Sequence, residues 1–286
     1  MSKLDEFAIF ILSNRRPNNI KTLKSLSDSN YTGQYYIIVD DLDPTIDEYK
    51  QNYGDKVIVF DKKYYMDLCD SADNFHKEIS TTFVRTAIFD KAKELGLTYF
   101  MQLDDDYGQF SLRFPDSNET KLYGRKLLNL DEVILLMLDF LDKSGVMSVC
   151  MGQPGDFIGG VGSNLYKHKL LFKGMNSFTC RTDNPFMFKT RLNEDVNTVL
   201  LNHQIGKLFL TFYQCATNQS ETQSQEGGMT EAYLDNGTYV KSFYSVMCCP
   251  SCVKIGLMGN TDFRIHHKIN NNKSVPKIIN ERHKKR

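Results

Sequence analysis

Four short apolar runs punctuate the first third of the chain: FAIFIL at 7–12, YYIIVDD at 35–41, KVIVFD at 56–61 and TYFMQL at 98–103. Runs of this length between polar turn residues predict buried strands. Helical spacing fills the gaps. Ile20, Leu23 and Leu26 share one face after Pro17, a residue suited to a first helical turn. A longer helical pattern spans about 75–95, with Phe83, Ala87, Phe89 and Ala92 among its apolar positions and Gly96 as its stop. Strands alternating with helices predict an α/β protein with a mostly parallel central sheet flanked by helices. The second half is less regular. A helix over 131–143 leads to a strand, VMSVCMG, and then to glycines at 152, 155, 159, 160 and 162. The stretch 193–206, NEDVNTVLLNHQIG, reads as a helix with acids in its first turn, where the helix dipole favours them. Residues 214–232 are polar and aperiodic, which predicts a loop or lid. With neither a repeat nor a linker, a single domain over 1–286 is expected.

In parallel sheets ligands bind beyond the carboxyl ends of the strands. Three predicted strand ends carry polar clusters: Ser13-Asn14-Arg15-Arg16, Asp40-Asp41 and Asp104-Asp105-Asp106. Adjacent carboxylates repel unless a cation lies between them. An Asp-x-Asp at a strand end turns two carboxylates to one side, a donor set for Mg²⁺ or Mn²⁺ shared with a diphosphate. Cations are unfavourable at a helix start, so Arg15 and Arg16 point to an anionic ligand. Arg85, in the helix before the aspartate strand, pairs either with an acid or with that ligand.

Formal net charge is zero, so bulk charge announces no polyanionic partner; its distribution says more. Two stretches, Lys167–Arg191 and Arg264–Arg286, carry local positive excesses and leave the remainder acidic. They suit either a polyanion-facing side, with Lys167, Lys169 and Lys173 among its candidates, or plain solvation. The opening MSKLDEFAIF is too acidic for a signal peptide, and no apolar run approaches the roughly 20 residues of a bilayer span. A cytoplasmic protein with reduced cysteines and no membrane partner is expected. CCPSC at 248–252 holds one C-x-x-C; without a second pair, structural thiols are favoured over zinc. Phe157, beside Gly159 and Gly160, is a candidate for stacking an extruded base.

The order FILSNRRP, an acid-ended second strand, LDDD, NEDV and RIHHKI resembles the GT-A nucleotide-diphospho-sugar transferases over roughly 7–267. The resemblance implies a Rossmann-like nucleotide-binding half (1–107) fused to an acceptor-binding half (108–268), with a basic tail (269–286). It implies that Ser13, Asn14, Arg15, Arg16, Arg85, Asp105 and Asp40 or Asp41 hold the donor. Asp104 and Asp106, with His266 and His267, would hold Mn²⁺ or Mg²⁺; Asp195 would be the base of an inverting transfer, with Glu194 beside it. ILSNRRPNN, LDDD, GQPGDFIGG, NEDV and VKIGLMG…FRIHHKI…VPKII are similar to a narrower family, the TET/JBP-associated glycosyltransferases. That likeness implies a UDP-sugar donor and a hydroxymethylated pyrimidine in DNA, 5-hydroxymethylcytosine or 5-hydroxymethyluracil, as acceptor. It suits a bacteriophage DNA-modification enzyme working in the host cytoplasm. The alternatives are a carbohydrate acceptor, served by the same donor site, and a non-catalytic nucleic-acid-binding module.

Overall fold

The computed structural model describes residues 2–219, 230–258 and 263–275. The first unit runs β1 (Phe7–Leu12), α1 (Lys21–Asp28), β2 (Gln34–Asp40), α2 (Ile46–Tyr53), β3 (Val57–Phe60), α3 (Lys62–Leu68), α4 (Thr81–Glu94) and β4 (Tyr99–Asp104). Then follow β5 (Tyr107–Pro115), β6 (Leu122–Lys126), α5 (Leu130–Ser144), β7 (Ser148–Gly152), α6 (Asn164–His168), β8 (Leu170–Leu171), β9 (Thr179–Arg181), α7 (Glu194–Gln204) and β10 (Phe209–Gln219). The described chain ends with α8 (Thr230–Cys248), β11 (Val253–Met258), β12 (Arg264–Ile269) and α9 (Asn271–Ser274).

The main sheet has the order β3-β2-β1-β4-β9-β7-β10-β5-β6, with β8 on β10. From the pairings, β1, β2, β3, β4, β6, β7 and β10 point one way and β5, β8 and β9 the other. The sheet is therefore mostly parallel, as the apolar runs imply. One continuous sheet joins both halves.

Strand periodicity sorts the core into two layers. Phe7, Ile9 and Ile11 of β1 pack with Leu26 of α1, Tyr49 of α2 and Leu130, Ile134 and Leu138 of α5. Ala8, Phe10 and Leu12 face the other way, toward Tyr65 of α3, Phe83, Ala87 and Ile88 of α4 and Val199 of α7. Burial of β1 on both faces explains why it reads as an unbroken apolar run.

Three boundaries differ from expectation. The first helix starts at Lys21, beyond Pro17, because the preceding loop is bonded elsewhere: the Arg15 N–H donates to Asp43 Oδ2 at 2.7 Å and the Arg16 N–H to the Tyr49 hydroxyl at 2.9 Å. Arg15, with φ 57°, is left-handed there. The long helix starts at Thr81, where the Ser80 hydroxyl accepts the Thr82 N–H at 3.1 Å. The predicted loop at 214–232 is strand through Gln219, paired with β5, and helix from Thr230. Its residues 220–229 lie outside the described residues, as does 276–286 of the basic tail. No described helix is long and apolar enough to cross a membrane.

Candidate active site

Parallel pairing brings the ends of β1 and β4 together, with Leu12 in register with Asp104. The three aspartates then take different directions. Asp105 turns into the loop after β1: the Ser13 hydroxyl donates to its Oδ2 at 2.7 Å and Arg16 Nη1 to its Oδ1 at 3.0 Å. Tyr49 closes this buried network, its hydroxyl 2.7 Å from Ser13 Oγ. Both carboxylate oxygens of Asp105 are thus committed to the protein, and Asp105 positions Arg16 and Ser13.

Asp104 accepts from Arg85 Nη2 at 2.8 Å and from Gln219 Nε2 at 3.0 Å. Burial raises its carboxyl to about 6 against the pull of Arg85, with Asp106 and Glu194 adding like charge. Burial also raises Asp106, opposed by a hydrogen bond with Gln219.

Arg85 is 1% exposed and lies against the rings of Phe178 and Phe188. Besides Asp104, its guanidinium reaches Glu194 Oε1 at 3.2 Å, the Asn176 carbonyl at 3.3 Å and Gln102 Oε1 at 3.5 Å. It therefore ties the aspartate strand to the first turn of α7. Its guanidinium is engaged with protein acids, the ion-pair reading, although the residue lines the cleft.

Asp195, next in α7, is buried; burial and the charge of Glu194 push its carboxyl well above the ordinary range. Preceding both acids is Asn193, left-handed at φ 56°. Its amide nitrogen reaches His267 Nδ1 at 3.0 Å, Ser245 Oγ at 3.1 Å and the Lys241 carbonyl at 3.2 Å. One side chain thereby joins α7 to α8 and to the β11–β12 hairpin that carries both histidines. His266 and His267 stack with ring centroids 4.2 Å apart. Burial lowers both, His267 to about 4, which favours the neutral imidazole.

These groups line a cleft of about 850 Å³ at the carboxyl ends of the parallel strands. Ser13, Asn14, Arg15, Arg16, Asp40, Arg85, Asp104, Asp105, Asp106, Glu194, Asp195, His266 and His267 all reach it. Of the acids ending β2, the cleft takes Asp40, held by Asn14 Nδ2 at 3.0 Å; exposed Asp41 instead accepts the Lys62 N–H.

The residues expected to meet an acceptor are more scattered. Phe157 is buried against Leu165 and Ala216 with Arg113 over its ring, so it offers no open stacking face. Its neighbour Ile158 faces the cleft and is 78% exposed. Gly159 (φ 94°) and Gly160 (φ 59°) form the left-handed turn behind it, outside the cleft lining. Lys173 lines the cleft, but its ammonium pairs with Asp156. Lys167 and Lys169 are exposed outside the lining, with Lys169 over the ring of Tyr166. Arg181 and Arg191 pair with Asp183 and Asp73, so the positive stretch at 167–191 is not one basic face. Cys249 and Cys252 are buried, their sulfurs 2.6 Å apart, beneath the turn from α8 to β11.

Sequence reasoning missed Gln219, Asn193 and Lys241. Gln219 was hidden in a polar run that reads as loop. Asn193 sits in the NEDV motif, where the acids draw attention first. Lys241 lies in α8, outside every motif.

The chemistry of the donor set fits a hard divalent cation. Asp104 and Asp106 crowd like charge at the cleft, and the buried Nδ1 atom of His266 has no hydrogen-bond partner among the described residues. Among those residues no three such side chains already stand close enough to hold an ion by themselves. Mg²⁺ commonly takes one or two protein carboxylates and completes its shell with phosphate oxygens and water.

A glucosyl-3-phosphoglycerate synthase from Mycobacterium tuberculosis, in complex with Mg²⁺ and uridine diphosphate, is 8% identical, with a TM-score of 0.46, over 93% of this chain and 88% of that one. The same synthase with Mn²⁺, UDP-glucose and phosphoglyceric acid is 9% identical, with a TM-score of 0.47, over 91% and 86%. Likeness at this level carries no functional argument. No curated protein matches the sequence. The family model for TET-associated glycosyltransferases matches residues 7–228, most of the chain. On that match the chain belongs to the TET-associated glycosyltransferase family.

Proposed function

We propose that the chain transfers a sugar from a UDP-sugar to the hydroxyl of a hydroxymethylated pyrimidine in DNA, with inversion at the anomeric carbon. The observation that carries this reading is the convergence of three strand-end clusters and the α7 acids on one cleft. Residues 1–107 supply the donor side and 108–268 the acceptor side. Asn14, Arg15, Arg16 and Asp40 bind the nucleotide, with Ser13, Asp105 and Arg85 behind them as positioning groups.

Asp104, Asp106 and an imidazole of the His266–His267 pair would hold Mn²⁺ or Mg²⁺. When bound, that cation offsets charge developing on the leaving diphosphate. Asp195 accepts the proton of the attacking hydroxymethyl group, and its raised pKa suits a base working near neutrality. Arg85 holds Glu194 and Asp104 in fixed relation, so base and donor site keep their spacing.

A second reading, a carbohydrate acceptor, draws support from the acceptor side, where Lys173, Arg181 and Arg191 are already paired with acids. One assay separates the two. The protein is incubated with hydroxymethylated DNA, a panel of UDP-sugars and Mn²⁺, and the released nucleosides are weighed by mass spectrometry. A hexose or pentose increment that disappears with EDTA supports the DNA reading. Donor hydrolysis without any DNA increment sinks it and leaves the carbohydrate reading.

A further inference from the structure

The paired histidines carry a distinction that their adjacency in sequence conceals. Asn193 Nδ2 lies 3.2 Å from the Lys241 carbonyl, an atom that only accepts, and this contact fixes which end of the amide faces α8. The same nitrogen lies 3.0 Å from His267 Nδ1. An amide N–H can donate to an imidazole nitrogen only through that nitrogen's lone pair. A hydrogen on Nδ1 would set N–H against N–H. Ser245 Oγ, 3.1 Å from the same nitrogen, shares the two amide hydrogens. A hydrogen on Nδ1 would still face the amide N–H at 3.0 Å, so the contact selects the tautomer with its hydrogen on Nε2 and turns the Nδ1 lone pair toward Asn193. Neither nitrogen then offers a lone pair to a cation.

His266 differs. Its Nδ1 is buried and has no hydrogen-bond partner among the described residues, although the ring lines the cleft. The backbone of Asn193 also signals constraint. It sits in the left-handed region at φ 56° and ψ 36°, which asparagine tolerates better than most residues. Its carbonyl still accepts the first-turn N–H of Asn197 at 2.9 Å, so the conformation caps α7 while the side chain reaches α8 and β12.

We propose that Asn193 is a positioning residue that sets the tautomer of His267. His267 then donates Nε2–H to an anionic oxygen of the donor diphosphate, and His266 alone supplies the imidazole for the cation. The role of Nε2 rests on the donor-site reading above; the tautomer does not.

Long-range ¹H–¹⁵N correlation spectra of the full-length, metal-free protein test the tautomer, with His267 assigned by its loss in His267→Gln. The expected spectrum shows unprotonated Nδ1 and protonated Nε2. A hydrogen on Nδ1 overturns the proposal. Asn193→Asp, whose carboxylate can only accept, should reverse the tautomer; if that variant does not fold, the wild-type spectrum still decides.

Calorimetry tests the two roles with UDP and Mn²⁺ as probes. His267→Leu should lose UDP affinity by roughly tenfold or more, as expected for one hydrogen bond to a charged oxygen. His267→Gln, which keeps a donor near the Nε2 position, should retain most of it. Binding of Mn²⁺ alone should weaken in His266→Leu and stay near wild type in His267→Leu. Equal weakening in both variants overturns the division of labour. A wild-type protein that binds neither probe overturns the donor-site reading and the role of Nε2, while the spectrum still decides Asn193.

Discussion

Replacing Arg85 with Met isolates the charge that holds the site together. Met is long enough to fill the space between Phe178 and Phe188 but carries no donor, so packing changes little. What disappears is the cation shared by Asp104, at 2.8 Å, and Glu194, at 3.2 Å. Removing one partner of a buried ion pair costs about 3–5 kcal/mol, because the remaining charge stays buried and uncompensated. The loss should depend on pH in a defined direction. In the wild type, burial raises Asp104 from 3.8 to about 6 while Arg85 opposes the shift. Without Arg85 the folded-state pKa rises further. Between the unfolded value and the raised folded value, the native state holds the extra proton. Stability therefore falls as pH rises through that window, and falls further in the variant. Urea unfolding of both proteins at pH 5 and pH 8 should show the full difference at pH 8 and a smaller one at pH 5, where Asp104 can protonate. A difference below about 1 kcal/mol at pH 8, or one of equal size at both pH values, would refute the assignment of Arg85 as the counter-charge of this carboxylate.

Asp195→Asn should leave UDP binding close to wild type while lowering turnover by on the order of 10²–10⁴. Because burial and Glu194 raise Asp195, wild-type turnover should fall with decreasing pH through a limb above the ordinary carboxylate range; unchanged turnover in the variant would require another base. His203 gives a stability test away from the cleft: its Nε2 accepts the Phe209 N–H at 3.3 Å, and burial lowers it from 6.5 to about 4. The unfolded chain alone takes the proton in that window, so acidification should cost up to about 3 kcal/mol, and His203→Gln should flatten this slope in urea titrations. On the DNA reading, Lys167→Ala with Lys169→Ala should reduce the salt dependence of DNA affinity by up to about two contacts. A gel-shift series with an unchanged slope would remove these lysines from the interface.

What could be read from the sequence follows from where burial leaves a pattern. β1, β2 and β4 are legible because their apolar runs are continuous and mostly buried. α2 buries only Tyr49 and has no apolar stripe to read. The far half of β10 stays hidden because its buried positions include Thr217, which reads as polar. At the site, the motifs pointed to Asp104, Asp106, Glu194 and Asp195, all of which reach one cleft. Their division of labour needed three dimensions. Three consecutive aspartates are chemically identical on paper, and only the packing of the β1 loop shows that Asp105 is bound to Ser13 and Arg16. Likewise, the asparagine of NEDV gains its meaning from α8 and β12, which approach it from 48 and 74 residues away.

A strand that ends in three aspartates is tolerable here because each carboxylate meets a different environment. Asp105 is neutralised from the β1 loop by Arg16, and Asp104 from α4 by Arg85, which it shares with Glu194. Arg16 and Arg85 are thus spent on three of the five carboxylates gathered there, Asp104, Asp105, Asp106, Glu194 and Asp195, all of which line the cleft. Burial first, and like charge from neighbouring acids second, raises the pKa of Asp104, Asp105, Asp106 and Asp195, so these groups hold protons more tightly than they would in water. A divalent cation entering with a diphosphate would bring charge of both signs into such a site at once. The carboxylates would favour the metal, and the loop with Arg15 and Arg16 would favour the anion. Neither half of that ligand would bind as well alone, so the acidity of the cleft is itself a selection for a metal-bound diphosphate over a bare one.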